Sequence, residues 1–294
     1  MNILITGAWL EAKQFISEIE NMGHKVCFMQ HEKEMLPCEY AWVEGVICNG
    51  LFISHAIEDF TNLKYIQLTS AGYDRVPMEY VKEHNIEIHS AKGVYGIPMA
   101  EFAVCGVLEL YKQSRFFAEN QKAHKWEKHR GLTELCGKTV CVMGCGNVGT
   151  ECAKRFKAFG CRIFGVDLFP RKDDNYDCMS GLDGMDEMLH QADVLVITLP
   201  LTEQTAKIID GQKLSLLKSG AVLVNIARGG VIDTEALIKS LPNLGGAVLD
   251  VFEDEPLPAS SPLWDMDNVI ITPHNSFVGD ANNSRLINVI LNNL

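Results

Sequence analysis

Short runs of β-branched and apolar residues alternate with amphipathic stretches along almost the whole chain. This is the grammar of an α/β protein built on parallel sheets. In the N-terminal third the spacing predicts strands over Asn2–Thr6, Lys25–Gln30, Gly45–Cys48, Tyr65–Thr69 and Ile86–His89. Helical periodicity falls between them, at Glu11–Met22 and Pro77–His84. A second series predicts strands over Thr139–Met143, Cys161–Val166, Asp193–Leu199, Ala221–Ile226, Gly246–Leu249 and Val269–Thr272. Between the two series lies a long helical pattern, Pro98–Phe117, entered by proline as helix starts prefer and running on into the charged segment Glu119–Arg130. The last pattern, Ala281–Leu294, puts apolar residues 286, 287, 290, 291 and 294 on one helical face. It stops without a cap, as a helix lacking its natural tail would.

Two runs of the same grammar imply two doubly wound parallel-sheet domains, Rossmann-like or flavodoxin-like, with a cleft between them. The expected division is a discontinuous domain of residues 1–97 plus 277–294 and a second domain of 98–276. A length of 294 residues suits two such domains. No stretch of about 18 uninterrupted apolar residues occurs, which excludes a membrane-spanning helix. The opening Met1-Asn-Ile-Leu-Ile-Thr6 lacks a basic flank and a small-residue cleavage site and reads as a first strand, not a signal peptide.

Twenty-six basic against 38 acidic residues give a formal charge of −12, with no basic stripe, so nucleic acid is not an expected partner. The ten cysteines are dilute, irregularly spaced and without a CxxC pair, and most sit in apolar runs where a thiol packs as a small hydrophobe. A reducing, cytoplasmic compartment is the expectation. His31-Glu32-Lys33-Glu34-Met35 fails the H-E-x-x-H pattern at its last position, and His124 and His129 lie among lysines on what reads as a solvated face. No metal site is expected.

The segment Thr139-Val-Cys-Val-Met-Gly144-Cys-Gly146-Asn-Val-Gly149 is a strand running into G-x-G-x-x-G, followed by a helix expected over Thr150–Phe159. Gly144 allows the tight turn, Gly146 lets a pyrophosphate approach the backbone, and Gly149 permits close helix–sheet packing. The helix start then offers unpaired N–H groups and a positive dipole end. Asp167 follows 18 residues after Gly149, at the end of the next strand. A carboxylate there can accept from both ribose hydroxyls and repels a 2′-phosphate, which favours NAD over NADP. Arg171, four residues on, softens that preference.

Three later segments end predicted strands: Val224-Asn-Ile-Ala-Arg228-Gly-Gly, Leu249-Asp250-Val-Phe-Glu-Asp-Glu255-Pro256 and Thr272-Pro-His274-Asn-Ser. In open α/β sheets that edge is where ligands bind. Together with Pro200-Leu-Thr-Glu-Gln-Thr205 and Pro262-Leu-Trp-Asp-Met-Asp-Asn, these segments resemble the D-isomer-specific 2-hydroxyacid dehydrogenases from about residue 65 onward. The first 60 residues share only the general pattern.

The resemblance implies an NAD-dependent oxidoreductase that passes a hydride between the nicotinamide and a small 2-oxo or D-2-hydroxy acid. It implies an active site of Arg228, Glu255 and His274. Arg228 would bind the substrate carboxylate and polarise the carbonyl with a fork that lysine lacks. His274 would exchange the proton, being the side chain that changes charge near neutral pH. Glu255 would hold the other ring nitrogen, as an orienting acid does in hydrolase triads. Of the three acids Glu253, Asp254 and Glu255, only the resemblance selects the last. It also implies that Asn147 and Val148 contact the pyrophosphate, that Leu199 and Pro200 line the adenosine side, and that Ile226 and Asp250 face the nicotinamide. Ser70-Ala71-Gly72-Tyr73-Asp74 resembles the family's substrate loop, with Ala71 and Gly72 as the amides that hold the substrate carboxylate. A homodimer joined through the cofactor domain is the expected assembly.

The run Asn275-Ser276-Phe277-Val278 departs from the small, glycine-rich segment common in the family and leaves substrate size open. Phosphoglycerate-type members carry a base near the third N-terminal strand, where this chain has Cys48-Asn49-Gly50-Leu51. Two alternatives stand beside the main reading: a catalytically idle NAD-binding sensor or corepressor-like protein on the same scaffold, and a phosphoglycerate-type dehydrogenase.

Overall fold

Strands covered on both faces have no polar side to show, so they are written as continuous apolar runs. Val194–Ile197 is of this kind, and Val222–Asn225 is apolar up to its last residue; both are buried at every position. The computed structural model describes residues 1–294, which divide into two units, Met1–Tyr95 with Gly279–Leu294, and Gly96–Val278.

The first unit carries a parallel sheet of five strands: β1 (Asn2–Thr6), β2 (Lys25–Met29), β3 (Gly45–Cys48), β4 (Tyr65–Leu68) and β5 (Glu87–His89). Their order is β2-β1-β3-β4-β5, the flavodoxin-like arrangement, in which the winding reverses between β1 and β3. One face packs Leu4, Val46, Ile66 and Leu68 with Phe60 and Leu51. On the other, Ile3, Ile5 and Ile47 meet Trp9, Ala91, Val94 and the last helix, Asn282–Asn293, through Leu286 and Ile290. Arg285 of that helix donates from Nε to the Val94 carbonyl at 2.7 Å. The C-terminal segment is therefore part of the first unit's core.

The second unit carries seven parallel strands: β6 (Thr139–Met143), β7 (Arg162–Val166), β8 (Cys178–Ser180), β9 (Val194–Ile197), β10 (Val222–Asn225), β11 (Gly246–Leu249) and β12 (Val269–Ile271). The order β12-β11-β10-β9-β6-β7-β8 is the Rossmann order with a strand added beyond β11, and its switch point lies between β6 and β9.

Three expectations are corrected. The single long helix breaks in two, Gly96–Tyr111 and Ser114–Lys122, because Gln113 between them takes a left-handed backbone with φ of 53°. The helix after the glycine loop starts at Asn147, not Thr150, so Gly149 lies in its first turn. The edge strand β8 went unpredicted; its residues are exposed or half-buried and carry no apolar run. No helix is long and apolar enough to cross a membrane, and all ten cysteines are free thiols.

Candidate active site

The strand ends of the second unit's sheet lie in one row. Met143 pairs with Val166 and Ile197, Ile197 with Asn225, Asn225 with Leu249, and Leu249 with Ile271. Every sequence-predicted site residue of this unit lies beyond that row, at the carboxyl edge.

The glycine loop is fixed by contacts no side chain would survive. A Cβ on Gly149 would lie 1.9 Å from the Gly144 carbonyl oxygen, and Gly144 has φ of +94°. Thr198, the residue after β9, donates its hydroxyl to that carbonyl at 2.6 Å and braces the turn from the neighbouring strand. A Cβ on Gly146 would meet nothing within 4 Å. Gly146 caps the helix without a side-chain hydrogen bond, and the amides of Asn147 and Val148 have no acceptor. Open space, free amides and a helix N-terminus form a cradle that fits a dinucleotide's pyrophosphate.

Asp167, half-buried at the end of β7, receives the Cys145 amide on Oδ2 at 2.6 Å and the Phe169 amide on Oδ1 at 2.9 Å. Arg171 donates from Nη2 to the Cys145 carbonyl at 2.7 Å, so both charged side chains sit against the loop. Burial pushes the Cys145 thiol up to about 12, and it packs as an apolar group in the loop. Leu199 is buried and Pro200 exposed beyond β9. Thr205, fully buried, donates its hydroxyl to the Pro200 carbonyl at 2.6 Å and shapes that turn.

Arg228 stands three residues past the end of β10, half-buried. Buried Asn225 shapes its turn: the side-chain carbonyl accepts from the Ala227 amide at 3.1 Å, and Nδ2 donates to the Arg228 carbonyl at 3.1 Å. Gly229 is pressed against the next loop, since a Cβ there would lie 1.8 Å from the Phe252 carbonyl carbon. Arg228 Nη1 donates to the Ala227 carbonyl at 2.7 Å, holding the guanidinium against its own turn. Ile226 is buried at the start of this turn.

Glu255 and His274 come from the ends of β11 and β12. His274 Nδ1 lies 2.8 Å from Glu255 Oε2, and Glu255 Oε1 accepts the Phe252 amide at 3.1 Å. The imidazole Nε2 carries no partner. The two side chains are 40% and 38% exposed. Glu253, by contrast, is committed elsewhere. It pairs with Lys207 at 3.1 Å and accepts the Thr234 amide at 2.9 Å, and these bonds hold its carboxyl below the usual range against the opposing effect of burial. Geometry thus distinguishes Glu255 within the acidic run.

His274 has φ of 52°, a left-handed backbone for a non-glycine residue. Asp250 holds it there. Its fully buried carboxylate accepts from the Thr272 hydroxyl at 2.6 Å, the Asn275 amide at 2.7 Å and the Ser276 amide at 3.0 Å. The His274 amide donates to the Asp250 carbonyl at 2.8 Å. A buried carboxylate with three donors is satisfied without a counter-cation. Its side chain is spent on positioning the histidine loop. Asn225, Thr198 and Thr272 were not singled out from the sequence; the signal available was a polar residue closing an otherwise apolar strand.

In the first unit, Ala71 and Gly72 follow β4 on an exposed loop. Ser70 donates its hydroxyl to the Gly72 carbonyl at 3.1 Å, and neither the Ala71 nor the Gly72 amide has an acceptor.

Residues 104–276 match the family described as D-isomer specific 2-hydroxyacid dehydrogenase, NAD binding domain. A glyoxylate reductase of Thermofilum pendens is 35% identical over 222 residues, covering 72% of this chain and 65% of the relative. A D-3-phosphoglycerate dehydrogenase of Methanocaldococcus jannaschii is 36% identical over 223 residues, 74% of this chain but only 42% of the relative. A D-isomer specific 2-hydroxyacid dehydrogenase family protein of Aeromonas salmonicida is similar in structure, with a TM-score of 0.82 at 27% identity, covering 99% of this chain and 94% of that one. The chain belongs to the D-isomer specific 2-hydroxyacid dehydrogenases, an NAD-dependent class of oxidoreductase.

Proposed function

We propose that this protein reduces a small 2-oxo acid to the D-2-hydroxy acid, with Arg228, Glu255 and His274 as its catalytic group and the second unit as its NAD domain. The observation that carries the reading is the His274 ring, tied by Nδ1 to Glu255 and open at Nε2, on the same sheet edge as Arg228. Bound NADH supplies the hydride that the carbonyl carbon receives. Arg228 binds the substrate carboxylate and the carbonyl oxygen, drawing charge onto that oxygen. His274 delivers the proton to the oxygen from Nε2 and takes it back in the reverse direction. Glu255 fixes the tautomer by holding Nδ1.

The free amides of Ala71 and Gly72 support a substrate carboxylate held by the first unit. Gly146 and the Asn147 and Val148 amides receive the pyrophosphate, on a loop that Gly144 and Gly149 shape. Leu199 and Pro200 line the adenosine side, and Ile226 with the Asp250 backbone flanks the nicotinamide. The assembly is a homodimer, a reading supported by exposed aromatics along the charged segment, Phe117 at 38% and Trp126 at 98%. The compartment is the cytoplasm, in keeping with ten free thiols.

A screen of NADH oxidation with glyoxylate, pyruvate, hydroxypyruvate, 3-phosphohydroxypyruvate and branched or aromatic 2-oxo acids tests the activity. Turnover of at least one is expected. NADH binding with no turnover of any would establish the idle sensor instead. The similarity to a phosphoglycerate dehydrogenase favours a second reading, in which the phosphorylated substrate is the best of the set.

Cofactor choice has its own test. Asp167 keeps lone pairs for the ribose hydroxyls while holding the Cys145 and Phe169 amides. Asp167→Ala removes the charge that repels a 2′-phosphate and leaves Arg171 beside the loop. The preference for NADH over NADPH in kcat/KM should fall by roughly 10–100-fold, the scale of a like-charge contact. An unchanged ratio would remove Asp167 from the ribose site.

A further inference from the structure

The carboxyl edge of the first unit's sheet already holds an anion. Glu32, in the loop after β2, reaches past β1 to the end of β3. Its Oε1 accepts the Asn49 amide at 2.7 Å and the Thr6 hydroxyl at 2.8 Å, and its Oε2 accepts the Gly50 amide at 2.7 Å. Buried His55 fastens the backbone of the same loop, with Nε2 2.9 Å from the Glu32 carbonyl and Nδ1 2.9 Å from the Tyr40 hydroxyl. Consecutive amides at the switch point of an open parallel sheet form a concavity suited to anions. Here a side chain of the protein fills it.

This place is next to the proposed substrate loop. Cys48 at the end of β3 pairs with Leu68 at the end of β4, so Asn49–Gly50 and Ala71–Gly72 leave neighbouring strands. Adjacent strands lie about 4.8 Å apart. On the proposed activity, a 2-oxo acid held through its carboxylate at Ala71 and Gly72 would extend its distal end toward the neighbouring strand end that Glu32 occupies. Arg75 follows that loop and runs along the same rim, for a Cβ on Gly50 would lie 3.6 Å from Arg75 Cδ and 3.4 Å from Glu32 Oε2.

We infer that Glu32 is a specificity-determining residue that bars substrates carrying a second anionic group. The inference rests on the proposed 2-oxo acid activity. Glu32 takes both amides that a distal phosphoryl or carboxylate group would use, and puts its own carboxylate there, next to the Arg75 side chain, in place of a substrate anion. Three of about four acceptor directions on the carboxylate are filled, leaving one for a substrate hydroxyl. The substrate class is a short 2-oxo acid ending in hydrogen, methyl or hydroxyl.

The test compares kcat/KM for hydroxypyruvate and 3-phosphohydroxypyruvate in the native protein and in Glu32→Ala, which empties the amide pair. Asn49 and Gly50 amide resonances are followed in both proteins as inorganic phosphate is added. The native protein should prefer hydroxypyruvate, and the variant should shift the ratio toward the phosphorylated acid by on the order of 100-fold. Phosphate should move the two resonances in the variant alone. A native protein that reduces the phosphorylated acid at least as well overturns the inference without any variant, as does a variant with an unchanged ratio. If the native protein reduces no 2-oxo acid, the activity reading fails and the specificity role of Glu32 falls with it, while phosphate shifts in the variant alone would still show that Glu32 fills an anion place. Native Asn49 and Gly50 resonances that respond to phosphate would show the place is open to anions. If Glu32→Ala does not fold, the native ratio and the native titration decide alone.

Discussion

Replacing His274 by asparagine should lower kcat for 2-oxo acid reduction by roughly 10²–10⁴-fold, the range that a positioned acid–base group supplies. NADH affinity, read by fluorescence titration, should stay unchanged, because the glycine loop and Asp167 occupy other strand ends. Asparagine is the informative substitution. It tolerates the left-handed backbone that His274 adopts, so the loop held by Asp250 keeps its course. Glu255 loses a partner but remains 38% exposed, where water replaces the lost contact. A variant that binds NADH and turns over at the native rate would show that the proton comes from elsewhere.

The fold was open to sequence reading because of how parallel sheets are buried. Strands such as Val194–Ile197 meet helices on both faces and cannot hide a polar residue, so their apolar runs stand out. The edge strand Cys178–Ser180 has no such burial and left no pattern. The break at Gln113 was invisible for a different reason: both flanking segments are good helices, and only the backbone at one residue differs.

The candidate site was legible where function needs a particular residue type at a strand end. It was illegible where the role depends on who sits across the gap. Glu253 and Glu255 are two residues apart and chemically identical. One is claimed by Lys207, distant in sequence, and the other by His274. Asp250 reads as an acid beside the nicotinamide, yet its carboxylate closes a loop from the neighbouring strand. Glu32 sits in a motif that fails as a metal site, and only the sheet order brings it to Asn49 and Gly50. Strand pattern predicts the edge at which residues meet; the pairing across that edge is a property of the folded chain.

Arg228→Lys should lower kcat/KM by about 10²–10³-fold, the loss seen when one preorganised donor to a developing oxyanion is removed. Lysine keeps the charge but has no planar fork to hold the carboxylate and the carbonyl oxygen together. The backbone should survive the exchange, since Asn225 fixes the turn through the Ala227 amide and the Arg228 carbonyl, and Gly229 is locked against Phe252. The split between kinetic constants then separates the two contacts. Loss at the carboxylate, made equally in ground and transition states, appears in KM; loss at the carbonyl oxygen, where charge develops, appears in kcat. A fall in both, with NADH affinity intact, assigns Arg228 to the reacting atoms. A rise in KM alone confines it to anchoring the substrate, and native values for both would return the arginine to a structural ion of the sheet edge.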